Sequence, residues 1–214
     1  MLALGDRHPV QHVSRAVVRA YDEQSKLPPG ILALPGYSSA KVRHLLNNLC
    51  DFPSCRYLEI GTWKGSTVLS ASYRNAGSFV AVDDFSQFDG PRAECEANRL
   101  AWKDDCRFVL HDAGAWQLDL ETIGPVNVYF YDGGHADDEQ YLAFSYFDPI
   151  LQDPFIAIVD DWNWPQVRSG TRRAFRDLKY HVAGAWELRT PGNGDVDSWW
   201  NGIMIAVVQK AEPA

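Results

Sequence analysis

Three carboxylates and an imidazole follow two apolar runs of the chain: Asp132 and His135, in Asp132-Gly133-Gly134-His135, come after Asn127–Tyr131, and Asp160-Asp161 closes Phe155–Asp160. Carboxylates converging on one spot repel one another and are driven toward protonation, and a cation held between Asp132, Asp160 and Asp161 relieves that repulsion. An all-oxygen set selects Mg²⁺ or Ca²⁺ over zinc, and Mg²⁺ keeps waters that a substrate hydroxyl can displace. The competing reading is structural: Asp160 or Asp161 caps a turn, and Asp132 serves the Gly133-Gly134 bend. An imidazole is the side chain whose ordinary pKa lies near working pH, which suits the residue type of His135 to accepting a proton; its alternative is a hydrogen bond to backbone or a neighbouring Asp.

Three other runs end in residues able to hold a ligand. The first ends Glu59-Ile60-Gly61-Thr62-Trp63-Lys64-Gly65-Ser66, where Gly61 and Gly65 let backbone approach a ligand at a helix N-terminus. A dinucleotide fingerprint needs a second glycine where Trp63 stands, and the phosphate-binding GxxxxGK[ST] is absent. The second ends in Asp83-Asp84 after Phe79-Val80-Ala81-Val82, and Asp83 is placed to accept from two ribose hydroxyls. The third ends in His111-Asp112. Asp112 either accepts from an adenine amino group that Trp116 covers, or caps a helix over Ala113–Leu120.

To reach one place, these residues must end neighbouring strands. The periodicity predicts strands at Arg56–Ile60, Ser78–Val82, Arg107–Leu110, Asn127–Tyr131 and Phe155–Asp160, with helices at Ser66–Arg74, Pro91–Trp102, Asp137–Leu151 and Gln166–Tyr180. That alternation implies right-handed βαβ units and a parallel sheet whose ligands lie outside the strands' carboxyl ends. Ala185–Arg189 and Ile203–Gln209 have no helix between them and should pair as an antiparallel hairpin. Two helices come first: Val10 to Gln24, with Val13, Ala16, Val17 and Ala20 on one face, and a second capped by Ser38 or Ser39 and running to Asn48. The expected fold is α/β: a Rossmann-like, seven-stranded, mostly parallel sheet with helices on both faces, a C-terminal antiparallel hairpin and N-terminal helices.

A chain of 214 residues makes one domain, with residues 1–55 as a helical lid or dimerisation segment and 56–214 as the chemical domain. Lys+Arg minus Asp+Glu is 20 − 28 = −8, a mean field that repels nucleic acid and anionic membrane and favours a small-molecule partner. Cys50, Cys55, Cys95 and Cys106 form no zinc spacing and fit a reducing compartment. The apolar start, Leu2 to Leu4, is cut short by Asp6, Arg7 and His8, and no run approaches the ~18 apolar residues of a membrane span. A soluble, cytoplasmic protein is expected, as a homodimer through its N-terminal helices.

The pattern Glu-x-Gly-x-x-x-Gly-Ser over Glu59–Ser66 resembles motif I of the class I S-adenosylmethionine (SAM)-dependent methyltransferases, and the likeness runs from about Arg56 to Gln209. Asp132-Gly133-Gly134-His135 resembles the Asp-Gly-x-His segment of their small-molecule branch. Asp132 with Asp160-Asp161 is similar to the metal-dependent sugar O-methyltransferases of macrocin and novobiocin type. Those enzymes carry an Asp as base where Gly134 stands, and His135 is the nearest replacement. The resemblance implies SAM held by Glu59, Gly61, Thr62, Trp63, Gly65, Ser66, Asp83, Asp84, Asp112, Ala113, Trp116 and Asp132, and Mg²⁺ held by Asp132, Asp160 and Asp161. Methyl transfer to a small-molecule hydroxyl, of a natural-product sugar or phenol, would have His135 and Asp132 as the catalytic groups. His135, Trp162, Trp164, Trp199 and Trp200 would wall the acceptor pocket. Arg168, Arg172 and Arg173 either meet an anionic acceptor or form a solvated face. Two alternatives stand beside this: a metal-independent N- or carboxyl-methyltransferase, and a SAM-binding module without turnover. A hydrolase is disfavoured, as no GxSxG elbow occurs and no Ser sits beside a plausible base.

Overall fold

A computed structural model describes residues 8–211. The N-terminal part is helical: α1 (Pro9–Tyr21), α2 (Pro29–Leu32) and α3 (Ala40–Leu49). Pro9 suits the start of α1, where its missing N–H has no partner to lose, and the hydroxyl of Ser39 caps α3 by accepting from Val42 N at 3.3 Å. The rest alternates: β1 (Cys55–Ile60), α4 (Ser66–Ser72), β2 (Gly77–Asp83), α5 (Arg92–Ala101), β3 (Val109–Asp112), α6 (Leu120–Ile123), β4 (Val126–Tyr131), α7 (Asp137–Ser145), β5 (Leu151–Val159), α8 (Pro165–Asp177), β6 (His181–Leu188) and β7 (Ile203–Gln209). They form one seven-stranded sheet of order β3-β2-β1-β4-β5-β7-β6. β1 to β5 pair in parallel, and β7 runs antiparallel to both its neighbours.

Side chains alternate across the strands, so consecutive residues enter different cores. Tyr57, Phe79, Val128, Phe130, Ile156, Ile158, Ile205 and Val207 face a core completed by Val13, Ala16 and Val17 of α1 and Val42, Leu45 and Leu46 of α3. Leu58, Ile60, Tyr129, Tyr131, Ala157 and Val159 face the other core, against Phe144 of α7 and Val167 and Ala174 of α8. Each fully buried Leu, Ile or Phe contributes ~1.5–3 kcal/mol, and the two layers account for the strands reading as unbroken apolar runs. The N-terminal helices therefore share a core with the sheet. The His12 ring, bonded to Leu49 O at 2.9 Å, ties α1 to the end of α3.

Several boundaries move from those read in the sequence. β3 lies two residues later than Arg107–Leu110, because the turn after α5 continues to Cys106, whose N–H bonds Trp102 O at 2.8 Å, and pairing with β2 starts at Val80 with Val109. No helix spans Ala113–Leu120: a 3₁₀ turn (Ala115–Gln117) intervenes, and Asp119 rather than Asp112 caps the helix that follows, accepting from Glu121 N at 3.1 Å. The helix expected to reach Leu151 stops at Ser145, ahead of a 3₁₀ turn over Asp148–Ile150 that contains Pro149. β6 begins at His181 rather than Ala185. No helix among the described residues is long and apolar enough to cross a membrane.

Candidate active site

The strand ends are drawn together by backbone bonds: Gly61 N to Val82 O at 2.9 Å, Asp132 N to Ile60 O at 2.9 Å and Asp160 N to Tyr131 O at 3.1 Å. Gly61 has φ +87°, and a Cβ there would stand 2.0 Å from the Asp132 carbonyl oxygen, so only glycine lets the β1–α4 loop lie against the end of β4. Gly65, with φ +80°, opens α4. Asp83 organises this loop. Its Oδ2 accepts from Thr62 N at 2.9 Å and Trp63 N at 2.7 Å, and its Oδ1 from Phe85 N at 2.7 Å. Two carboxylate oxygens offer about four lone-pair sites, so accepting capacity remains beyond these three bonds.

The other residues expected around a cofactor have diverse placements. Asp84 is exposed and turned back on Ser86, whose N–H and hydroxyl donate to it at 2.9 and 2.6 Å and hold its carboxyl below the ordinary range. Asp112 pairs with Arg92 at 2.6 Å, and Ala113 N bonds Asp83 O at 3.2 Å. Trp116, 37 % exposed, lies over Tyr131, Tyr146 and Phe147. Ser66 is buried beneath the N-terminal segment: a Cβ on Gly36 would stand 2.1 Å from Ser66 Oγ.

Glu59 is a correction. Its side chain is fully buried, with Tyr57 Oη donating to Oε2 at 2.5 Å and Thr67 Oγ1 to Oε1 at 2.7 Å, so it braces β1 against α4 rather than facing the strand-end groove. Burial pushes its carboxyl up to about 7, against the pull of those hydroxyls. An unfolded Glu ionises near 4.5, so between pH 4.5 and 7 the folded chain holds the extra proton, and stability falls as pH rises through that window. At 1.36 kcal/mol per pKa unit the loss is about 3 kcal/mol. Glu59→Gln is expected to flatten the decline of the thermal midpoint between pH 5 and 8; an unaltered slope would remove Glu59 as its source.

The acidic cluster also differs from the expected triad. The atoms that converge, all within 4.8 Å of one another, belong to Asp132, His135 and Asp161. His135 Nε2 lies 2.6 Å from Asp161 Oδ2, and Asn201 Nδ2 donates to Asp161 Oδ1 at 2.6 Å. Asp160 stands outside that set because consecutive residues at a strand end diverge: it is 3 % exposed, and its Oδ1 has no hydrogen-bond partner among the described residues. Burial, then the charges of Asp160 and Asp161, push the Asp132 carboxyl well above its ordinary range. Burial and then Asp161 do the same to Asp160.

Of the four tryptophans expected to wall a pocket, Trp162 and Trp199 are 1 % exposed and belong to the cores; Arg172 covers Trp162, and Tyr21 of α1 packs edge-on to Trp199. Trp164 stays at the site, edge-on to His135 with ring centroids 4.5 Å apart. Trp200 lies 6.3 Å from Tyr37, which stacks on Trp63 at 4.3 Å and 16° and meets Phe88 at 5.4 Å. Tyr37, Phe88 and Asn201 carry no spacing signal in the sequence; loops from separate elements bring them together. The arginines are engaged: Arg168 with Trp162 O at 2.6 Å, Arg172 with Glu187 at 2.7 Å, and Arg173 with Asp137 and Asp138.

No family model matches the sequence, and no curated protein matches it. Solved structures do resemble it. TomG of Streptomyces achromogenes, an O-methyltransferase of tomaymycin synthesis in complex with SAM, is 19 % identical with a TM-score of 0.58 over 97 % of this chain and 92 % of its own. The Bacillus cereus O-methyltransferase in complex with S-adenosylhomocysteine (SAH) is 16 % identical, with a TM-score of 0.59 over 97 % and 94 %. The magnesium protoporphyrin IX methyltransferase of Synechocystis PCC 6803, with bound SAM, is 12 % identical, with a TM-score of 0.58 over 97 % and 87 %. With its strand order and antiparallel β7, the chain has the Rossmann-like fold of the class I methyltransferases.

Proposed function

We propose that the chain is a SAM-dependent methyltransferase acting on a hydroxyl of a small molecule, a sugar or a phenol, with His135 as the proton acceptor. The observation that carries this reading is the His135–Asp161 pair beside Asp132, at the edge where β1, β4 and β5 end. Bound SAM would supply an electrophilic methyl group, with a neutral thioether as the leaving group. The residues present fit that cofactor. Gly61 and Gly65 leave the two ends of the β1–α4 loop without side chains, Asp83 has accepting capacity left for ribose hydroxyls, and Trp63 Nε1 is buried without a hydrogen-bond partner among the described residues. Asp84, Asp112, Ala113 and Trp116 flank the same edge on the β2 and β3 side.

A hydroxyl is a weak nucleophile until it loses its proton. Asp161 fixes the imidazole of His135, and with the Nε2 proton directed at Asp161, Nδ1 is the nitrogen left to accept. Asp132 and Asp161 also fit a divalent cation such as Mg²⁺, since two carboxylates crowded together need a counter-charge. A bound cation there would lower the pKa of the acceptor hydroxyl. The −8 balance supports a small molecule over nucleic acid or membrane, and four free, buried cysteines support a reducing, cytoplasmic setting.

The test is methyl-labelled SAM with a panel of sugar and phenol acceptors, before and after dialysis against a chelator, beside SAH binding by calorimetry. SAH is expected to bind, label to enter a hydroxyl, and chelation to lower the rate until Mg²⁺ is restored. Full activity after chelation would remove the cation and leave the His135 reading. Label entering only amines or carboxylates would replace the hydroxyl reading, and SAH binding without turnover across the panel would favour a binding module.

A further inference from the structure

We propose that Asn201, in the β6–β7 turn, is a positioning residue that locks the Asp161 carboxylate so that one oxygen stays turned to His135. The inference rests on the reading of His135–Asp161 as the working pair. The two oxygens of a carboxylate are chemically equivalent, and a carboxylate at a strand end can rotate about its own bonds unless something distinguishes them. Here Asn201 Nδ2 donates to Oδ1 at 2.6 Å, while Oδ2 lies 2.6 Å from His135 Nε2. The amide is itself fixed the right way round, because its Oδ1 accepts from Gly194 N at 2.7 Å; turned over, it would set an NH₂ against that N–H.

The backbone holds both residues to one register. Trp162 N bonds Gly202 O and Asn163 N bonds Asn201 O, each at 2.9 Å, so the hairpin pairing continues past β5 and keeps the turn beside Asp161. Asp161 has φ +56°, a conformation held by these bonds and by Trp164 N donating to its carbonyl at 2.9 Å. Asn is the side chain this arrangement asks for. An Asp would place a second carboxylate against the first, and an Ala would leave Oδ1 of a 6 % exposed residue without its donor. The turn bearing Asn201 is also fastened to the N-terminal helices, by Ser39 Oγ on Ser198 O and Lys41 Nζ on Asp197 O at 2.5 and 2.7 Å.

The test compares Asn201→Asp and Asn201→Ala in the full chain labelled with ¹⁵N-histidine. Asn201→Asp keeps an oxygen for Gly194 N, so it preserves the turn while removing the donor to Asp161. In the wild type, the His135 Nε2 proton is expected as a downfield, slowly exchanging ring resonance, assigned by its loss in His135→Gln. Both Asn201 variants are expected to lose it, and a thermal midpoint for Asn201→Asp close to wild type would separate this loss from collapse of the turn. If neither of these variants folds, Asn201→Ser, which keeps a donor, is read instead and should retain the resonance in part. An unchanged resonance in Asn201→Asp and Asn201→Ala, its absence from the wild type, or its absence from a folded Asn201→Ser would overturn the proposal. A wild-type chain that shows the resonance and its loss in the variants, yet transfers no methyl group to any acceptor, would overturn the catalytic reading and support the lock.

Discussion

His135→Ala is expected to lower kcat for methyl transfer by ~10²–10⁴, the range contributed by a positioned general base, while SAM affinity stays nearly unchanged. The size follows from position. The imidazole is held by Asp161 at 2.6 Å and flanked by Trp164, so its orientation is fixed before any acceptor arrives. Trp63, on the β1–α4 loop, and Asp83, at the end of β2, belong to other elements, so truncating His135 leaves the proposed cofactor contacts in place. Single-turnover rates with labelled SAM are the measurement. A fall under tenfold would reduce His135 to a pocket-lining side chain, and a parallel loss of SAH affinity would show that it holds the cofactor instead.

Asp83→Ala should weaken SAH binding roughly 10–100-fold and cost about 3 kcal/mol of stability, since it removes one acceptor from three backbone N–H groups. Hydrogen bonds to a charged acceptor are each worth ~1.5–3 kcal/mol, and partial rehydration of the loop offsets part of their sum. For a chain of this size, about 3 kcal/mol corresponds to a fall in the thermal midpoint of roughly 6–12 °C. Calorimetry with SAH and a melting scan read the two effects separately. Stability lost with affinity retained would assign Asp83 to the loop alone; neither lost would contradict the geometry of the three bonds.

Strand ends were legible in the sequence because burial on both faces of a parallel sheet leaves unbroken apolar runs, and polar residues begin where the sheet stops. That placed Asp83, Asp132 and Asp161 at one edge and foresaw the antiparallel pairing of β7. What a sequence does not encode locally is which side a strand-end residue faces. Asp160 and Asp161 are adjacent and chemically identical, yet one is sealed in and the other meets His135. Glu59 occupies a motif position but turns inward, because Tyr57, two residues earlier on the same side of β1, and Thr67 of α4 supply hydroxyls to it. Trp162 and Trp199 read as loop residues and are core residues, one in each of the two cores. Asn201 depends on contacts some forty residues apart in the chain, which no spacing rule reaches.

The direction of β7 has a consequence for how such a chain can change. A strand added parallel to β5 would deliver its preceding connection to the far edge of the sheet. Running antiparallel, β7 is entered from the edge where β5 leaves, and its pairing of Val159 with Met204 and of Leu188 with Ile203 pins both ends of the turn over residues 189–202 beside the carboxylates. A turn anchored at both ends is a replaceable cassette. Doubling its length costs only about 0.6 kcal/mol of closure entropy, so the surroundings of an acceptor can be rewritten there while both cores stay as they are, provided buried Trp199 and the contact from Asn201 to Asp161 are kept.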